Sequence, residues 1–321
     1  RVVGGLVLAH DPLVGLGVAG VAVVGADHAG QLGRALVGGA GHQRSDGRGH
    51  RTATLGVVAQ AHGHEQRAEV GVTQAKRAER VRVALDGRRR VAGVGDEDLL
   101  RRDCVLAPIP AADFAKHHDE LALVPEIGIC SKGEVGSVLV FGNRPLEEMR
   151  DIALPTDSSS SVALLKFLLK ERGLDPRPVE MGPDLDTMLE RCDGALLIGD
   201  RALDRAKSNP ELVQLDLGQA WLELTGQPMV FGVFAARKDT PIEAVQSAHQ
   251  VLLERLDAFE REPLTREKVL LHAHLHSDMS MERLNKYFGE VFNRLDSEHV
   301  EGLQEYLTRC CSMDEKISFL W

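Results

Sequence analysis

Ala153 to Arg172 reads ALPTDSSSSVALLKFLLKER, a row of hydroxyl residues running straight into an apolar segment. Thr156, Asp157 and Ser158 to Ser161 can each cap a helix start, and Val162, Leu164, Leu165, Phe167, Leu168 and Leu169 follow at helical spacing. The hydroxyls therefore fall on a helix N-terminus. The first turn of a helix carries N–H groups without intrahelical acceptors and the positive end of the macrodipole, so it favours a carboxylate or phosphate. Small hydroxyls add donors there without crowding a ligand. The plainer reading has one of them cap the helix while the rest face water.

Outward from this helix the pattern is that of an α/β protein. Before it, CVLAPIP from Cys104 reads as a buried strand, AADFAKHHDEL as a short helix, IGIC as a second strand and VGSVLVF as a continuous apolar strand after the turn SKGEVG. After it, Gly173 and Pro176 stop the helix, PDLDTMLERC is a further short helix, and GALLIG is an unalternating strand buried on both faces. A helix from Arg201, the segment DLGQAWLELTGQ and the strand PMVFGVFAA come next, and beyond Pro241 the chain reads as helical throughout. Strands alternating with helices predict mainly parallel sheets.

Residues 1 to 103 are foreign to this text. They contain no Phe, Tyr, Trp, Ile, Met or Asn, and are rich in Val, Ala, Gly, Arg and His. Such a composition supplies few of the large, shaped side chains a core needs. The expected reading is an anomalous low-complexity segment, GC-rich DNA translated in the wrong frame or strand; uniform codon usage across Cys104 would refute it. GVGDED and GLGVAG within it are too short, and lack flanking elements, to count as dinucleotide loops.

With 321 residues, 43% of them hydrophobic, the chain is long enough for two domain-sized cores. A formal net charge of -10 argues against a nucleic-acid binder and gives no reason to expect a membrane contact. Small anions must then be held by local donors. Five cysteines without a C-x-x-C pair indicate neither a disulfide framework nor a zinc knuckle, and a reducing cytoplasm fits them best. No export signal, lipid anchor or membrane-spanning apolar run is legible.

Several residues carry candidate chemistry. His272, His274 and His276 are spaced like metal ligands, but on a helix only His272 and His276 share a face, so no metal is expected. His117 and His118 have no better claim. Cys310 and Cys311 lack a paired histidine, and no G-x-S-x-G, P-loop or H-E-x-x-H is present. Asp200 is a stronger candidate, since it follows a buried strand where ligands of open α/β sheets gather; its plainer role is cap of the helix from Arg201. Ser131, Gly133 and Ser137 lie in or beside a tight turn before an apolar strand, where glycine allows close approach and serine offers donors. Together with the hydroxyl helix start they predict a site for a small anion between strand ends. Trp221 reads first as core, with closure of a lobe interface as the alternative.

The series ICSKGEVGSVLVF, LPTDSSSSVALLKFLL, DGALLIGDRAL and DLGQAWLELTGQPMVFGVFAA resembles, in order and spacing, the chorismate dehydratases of the futalosine route to menaquinone. The resemblance runs from Cys104 to Trp321. It implies the type 2 periplasmic-binding-protein-like fold, two α/β lobes with the ligand in the cleft, here with 104–141 and 229–321 as the first lobe with a helical tail and 142–228 as the second. VGSVLVF and PMVFGVFAA would be the crossings. It implies loss of water from chorismate to give 3-[(1-carboxyvinyl)oxy]benzoate, without metal or organic cofactor. Ser131 would lie at the reacting ring, and Gly133, Ser137, Thr156, Ser158, Ser159, Ser160, Ser161 and Asp200 would bind substrate.

One departure stands out. The family opens with a Tyr-Leu-Asn loop, and no Asn precedes Asn143 here, which predicts an incomplete first lobe and little activity. Two rivals share the fold: the sister enzyme acting on cyclic dehypoxanthine futalosine, whose His base has no counterpart in these motifs, and a non-catalytic small-anion binding protein, which would normally carry an export signal. The sequence is silent on oligomeric state.

Overall fold

The computed structural model describes residues 96–102 and 104–321. The expectation about residues 1–103 therefore falls almost wholly outside the described residues, and so does any counterpart of the missing Asn loop. After a short helix α1 (Asp96–Leu100) the chain forms β1 (Ala107–Pro110), α2 (Ala111–Lys116), β2 (Leu121–Ser131) and β3 (Val138–Gly142). Next come β4 (Asp151–Leu154), α3 (Ser159–Glu171), β5 (Arg177–Glu180), α4 (Leu185–Arg191), β6 (Gly194–Ile198) and α5 (Gly199–Ser208). The last third is β7 (Val213–Asp216), α6 (Leu217–Thr225), β8 (Met229–Arg237), α7 (Ile242–Arg261), α8 (Pro263–Leu275), α9 (Met281–Glu290), β9 (Phe292–Leu295) and α10 (Ser297–Cys311).

α3 forms as its sequence demands. Leu164, Leu165, Leu168 and Leu169 are buried while Lys166 and Lys170 are exposed, so one stripe faces the core. Burying each leucine contributes on the order of 2 kcal/mol. The helix ends where Gly173 takes a left-handed φ of 70°. There the Gly173 and Leu174 amides return to the carbonyls of Lys170 and Leu169, satisfying the last orphan acceptors.

Two sheets result. The first has the order β1-β8-β2-β9 and the second β5-β4-β6-β3-β7. In the second sheet β5, β4 and β6 are parallel, β3 is antiparallel to β6, and β7 is antiparallel to β3, so β3 alone runs backward. This sheet is mainly parallel, as expected. The first is not: every pairing in it is antiparallel, because β8, returning from the second sheet, inserts between β1 and β2. Buried apolar runs such as VLVF and MVFGVFAA do not encode direction, which is why the alternation of elements misled there. β9 likewise interrupts the helical tail, pairing with β2 at Ile127 and Cys130.

β3 and β8 each belong to one sheet, and the chain passes between sheets through residues 132–137 and 226–228. Val138 to Phe141, assigned by sequence to the first lobe, thus pairs in the second sheet. One continuous core joins both sheets, running from Ile109, Cys130 and Val230 to Val140 and Leu196. α10 lies against β8, α2 and α3, and so braces the two halves together. Among the described residues, no helix is long and apolar enough to cross a membrane.

Candidate functional site

The directions of β4, β6 and β7 put their carboxyl ends on one edge of the second sheet. Each of these strands is followed by a helix: α3 after β4, α5 after β6 and α6 after β7. These three helix N-termini therefore share that edge, together with that of α4 after the parallel strand β5, and it is the place where ligands of such sheets bind. Ser137 lies there too, since it precedes the reversed strand β3 and its carbonyl accepts the Gly199 N–H at 2.7 Å.

The first sheet contributes a further helix start. The Ala112 N–H, in the first turn of α2, donates to Ser160 Oγ at 3.1 Å, and Tyr306 OH on α10 donates to the Ser160 carbonyl at 3.0 Å. The start of α3 is thus the meeting point of both sheets and the tail. Its hydroxyls do not cap their own helix: Ser158 occupies the cap position without a side-chain capping hydrogen bond. Ser158, Ser160 and Ser161 are buried, Ser159 Oγ is buried without a hydrogen-bond partner, and Thr156 is exposed in the preceding turn. Asp157 pairs with Arg201 at 2.6 Å, tying the start of α3 to that of α5. Asp200, half-buried, sits inside the first turn of α5 and not at its cap, because the helix begins at Gly199.

Ser131 ends β2. It is fully buried, and its Oγ has no hydrogen-bond partner. A buried hydroxyl left unpaired costs about 1–3 kcal/mol, so each such group asks for an explanation. The turn after it needs glycine at Gly133, whose φ is +112°. The turn is anchored by a residue that the sequence reading passed over. Asp216, at the end of β7, accepts the N–H groups of Val135 (3.1 Å to either oxygen) and Gly136 (2.8 Å), and caps α6 through the Gln219 N–H at 3.1 Å. Burial pushes its carboxyl pKa up, opposed by the N–H groups of Gly136, Gln219, Val135 and Gly218. Asp216-Leu-Gly-Gln219 does match a capping pattern, which was the available signal.

Ser131 and the α3 serines are linked through side-chain packing; among the described residues no hydrogen bond joins them. Ser131 abuts α6 at Gly218, and one turn on Trp221, fully buried, meets Phe167 of α3 and Tyr306 of α10 edge-on at 6.0 and 6.2 Å. Trp221 is thus both core and interface. Ser137 is buried with its Oγ accepting from Tyr287 OH at 3.3 Å, so its hydroxyl is turned toward α9.

The other candidates lie elsewhere. The rings of His272 and His276 do share a face, with centroids 4.2 Å apart, and His274 Nδ1 contacts the Met279 carbonyl. Among the described residues no group of three or more His, Cys, Asp or Glu side chains is placed to hold a metal ion. His117 faces Asp96 at 3.2 Å. Burial pushes the thiols of Cys310 and Cys311 up, which makes them poor nucleophiles. A cavity of about 240 Å³ between α4 and α5, lined by Asp184, Leu197, Arg201 and Arg205, touches the site only through Arg201.

A family model described as menaquinone biosynthesis matches residues 96–312, more than half of the chain. The chain is 35% identical over 178 residues to the chorismate dehydratase of Thermus thermophilus, covering 49% of this chain and 65% of that protein. It thus spans just under two thirds of that curated relative. Among solved structures, a protein of Archaeoglobus fulgidus superposes with a TM-score of 0.53 at 18% identity, covering 66% of this chain and 80% of that one. The periplasmic aliphatic sulphonate binding protein of Escherichia coli gives 0.49 at 14% identity, covering 69% and 80%. The two-sheet α/β architecture agrees with the fold that the family resemblance implies.

Proposed function

The chain belongs to the menaquinone-biosynthesis family, and from that premise we propose that it removes water from chorismate to give 3-[(1-carboxyvinyl)oxy]benzoate. The observation that carries this reading is the edge on which the starts of α2 and α3, from different sheets, meet at Ser160 beside the buried hydroxyl of Ser159. A dicarboxylate suits that edge. Ser158 to Ser161 and the first N–H groups of α3 hold one carboxylate, with the exposed Thr156 at the rim.

Chorismate needs positioning more than a nucleophile. The ring C–H beside the enol ether is acidified through the conjugated carboxylate. That proton passes to a carboxylate of the substrate, the C–H electron pair moves into the ring and completes the aromatic system as the neighbouring C–O bond breaks, and the same proton is handed to the departing hydroxide, which leaves as water. Ser131 Oγ, unpaired and buried, donates to the ring side of the substrate, with the Gly133 backbone and Ser137 shaping the turn around it. Asp200 offers an acceptor for the ring hydroxyl at the start of α5. Burial of this edge excludes water and strengthens each of these interactions. No metal or organic cofactor enters the scheme. All five cysteines are free thiols, which accords with the cytoplasmic location we assign.

The test is direct. Chorismate is added to the purified full chain and its ultraviolet band followed, with the product identified by chromatography. Formation of the benzoate product is expected. Binding without any product would overturn the enzymatic reading in favour of a small-anion binding protein.

A further inference from the structure

Two features of the turn after Ser131 are left over from the reaction scheme. The first is the reach of Asp216. Its carboxylate joins three segments: it ends β7, caps α6, and accepts the N–H groups of Val135 and Gly136 across about 80 residues of sequence. The second is the approach of that turn to α6. A Cβ placed on Gly218 would lie 2.5 Å from the Gly133 carbonyl oxygen and 2.7 Å from Ser131 Oγ, so no larger residue fits without moving one of them. An ordinary helix cap needs neither feature. One oxygen on the Gln219 N–H would suffice for α6 itself.

We propose that Asp216 is a positioning residue: its carboxylate clamps residues 132–137 onto the start of α6, and against the bare Gly218 backbone this fixes the direction of Ser131 Oγ. The link to catalysis rests on the assignment of Ser131 to the substrate site. The clamp itself is a statement about the fold between the two sheets. Because this segment is, among the described residues, one of two passages between the sheets, the clamp also sets where the first sheet's contribution to the site ends.

The experiment compares the full chain with its Asp216→Asn, Asp216→Glu and Gly218→Ala variants by hydrogen exchange with mass spectrometry and by chorismate turnover. In D216N an amide N–H₂ must face backbone N–H donors. The peptide covering 132–137 is expected to exchange at least ~10-fold faster while β4 and β6 keep their protection, with D216E recovering part of it. Turnover in D216N and G218A is expected to fall ~100-fold in kcat with KM within a few-fold, the pattern of a displaced group as opposed to lost substrate binding. Unchanged exchange in D216N overturns the clamp. Faster exchange with unchanged kcat overturns its role in aiming Ser131. If the unaltered chain converts no chorismate, the functional reading fails on its own, and the exchange comparison still decides whether the clamp exists. Should D216N not fold, D216E and G218A are read by the same two criteria.

Discussion

α3 and α6 start on the same edge of the same sheet, yet the two starts are finished in opposite ways. α6 is closed by a carboxylate of its own chain, Asp216, which takes up its N-terminal donor and two more from the crossing turn. α3 begins with neutral serines that make no capping bond, one of which accepts from α2 instead. A helix start already neutralised by an internal anion is an architectural joint. One left to uncharged hydroxyls keeps its attraction for an external anion. On the reading proposed above, helix dipoles shared by one edge are allotted separately, that of α6 to structure and that of α3 to ligand.

The sharpest way to break this contrast is to give α3 what α6 has. Ser158→Asp supplies an equally good cap, so the melting temperature should hold or rise. The added charge should weaken chorismate binding roughly 100-fold, measured by calorimetric titration, since like charges about 4 Å apart in a largely buried site repel by several kcal/mol. Unchanged affinity would show that α3 does not receive the substrate carboxylate. Conversely, Asp216→Ala should lower the unfolding free energy by about 2–3 kcal/mol, read from the urea midpoint, because several donors lose their acceptor at once. Ser160→Ala should lower it by about 1 kcal/mol, as only the Ala112 N–H is orphaned.

The smallest effect concerns the opposite edge of the same sheet, where charge is used for stability alone. Side-chain and backbone hydrogen bonds from Arg150 hold the Asp193 carboxyl below the usual range, and the Asp193 N–H and Arg177 do the same for Asp151. A carboxyl depressed in the folded state stabilises above its unfolded pKa of about 4 and loses that contribution as pH falls below it. Melting temperature should therefore drop between pH 5 and pH 3, and less steeply in Asp193→Asn. An identical slope would remove this edge from the stability account.

How much of this could be read in advance depended on distance along the chain. α3, its stop at Gly173, and the strands of VLVF, GALLI and MVFGVFAA are local patterns and were legible. β4 and β5 were not: Asp-Ile-Ala-Leu is too short to signal a strand, and Arg-Pro-Val-Glu is a mostly exposed edge held by its neighbour. The antiparallel first sheet depends on where β8 returns, which no window of sequence contains. The same holds for the site. Serines at a helix start announce themselves, whereas the double use of Asp216 needs partners some 80 positions away, and Ser137 looked like a site donor until Tyr287 claimed its hydroxyl.

Trp221 turns the packing between the halves into something that can be watched. Its indole donates to the Pro228 carbonyl and lies wedged between Phe167 from one half and Tyr306 from the other, whereas the second tryptophan, Trp321, is 41% exposed and packs on His249. Replacing Trp321 with Phe leaves a single tryptophan, at the seam. Its emission colour then serves as an optical gauge of every opening of the molecule, with no label attached.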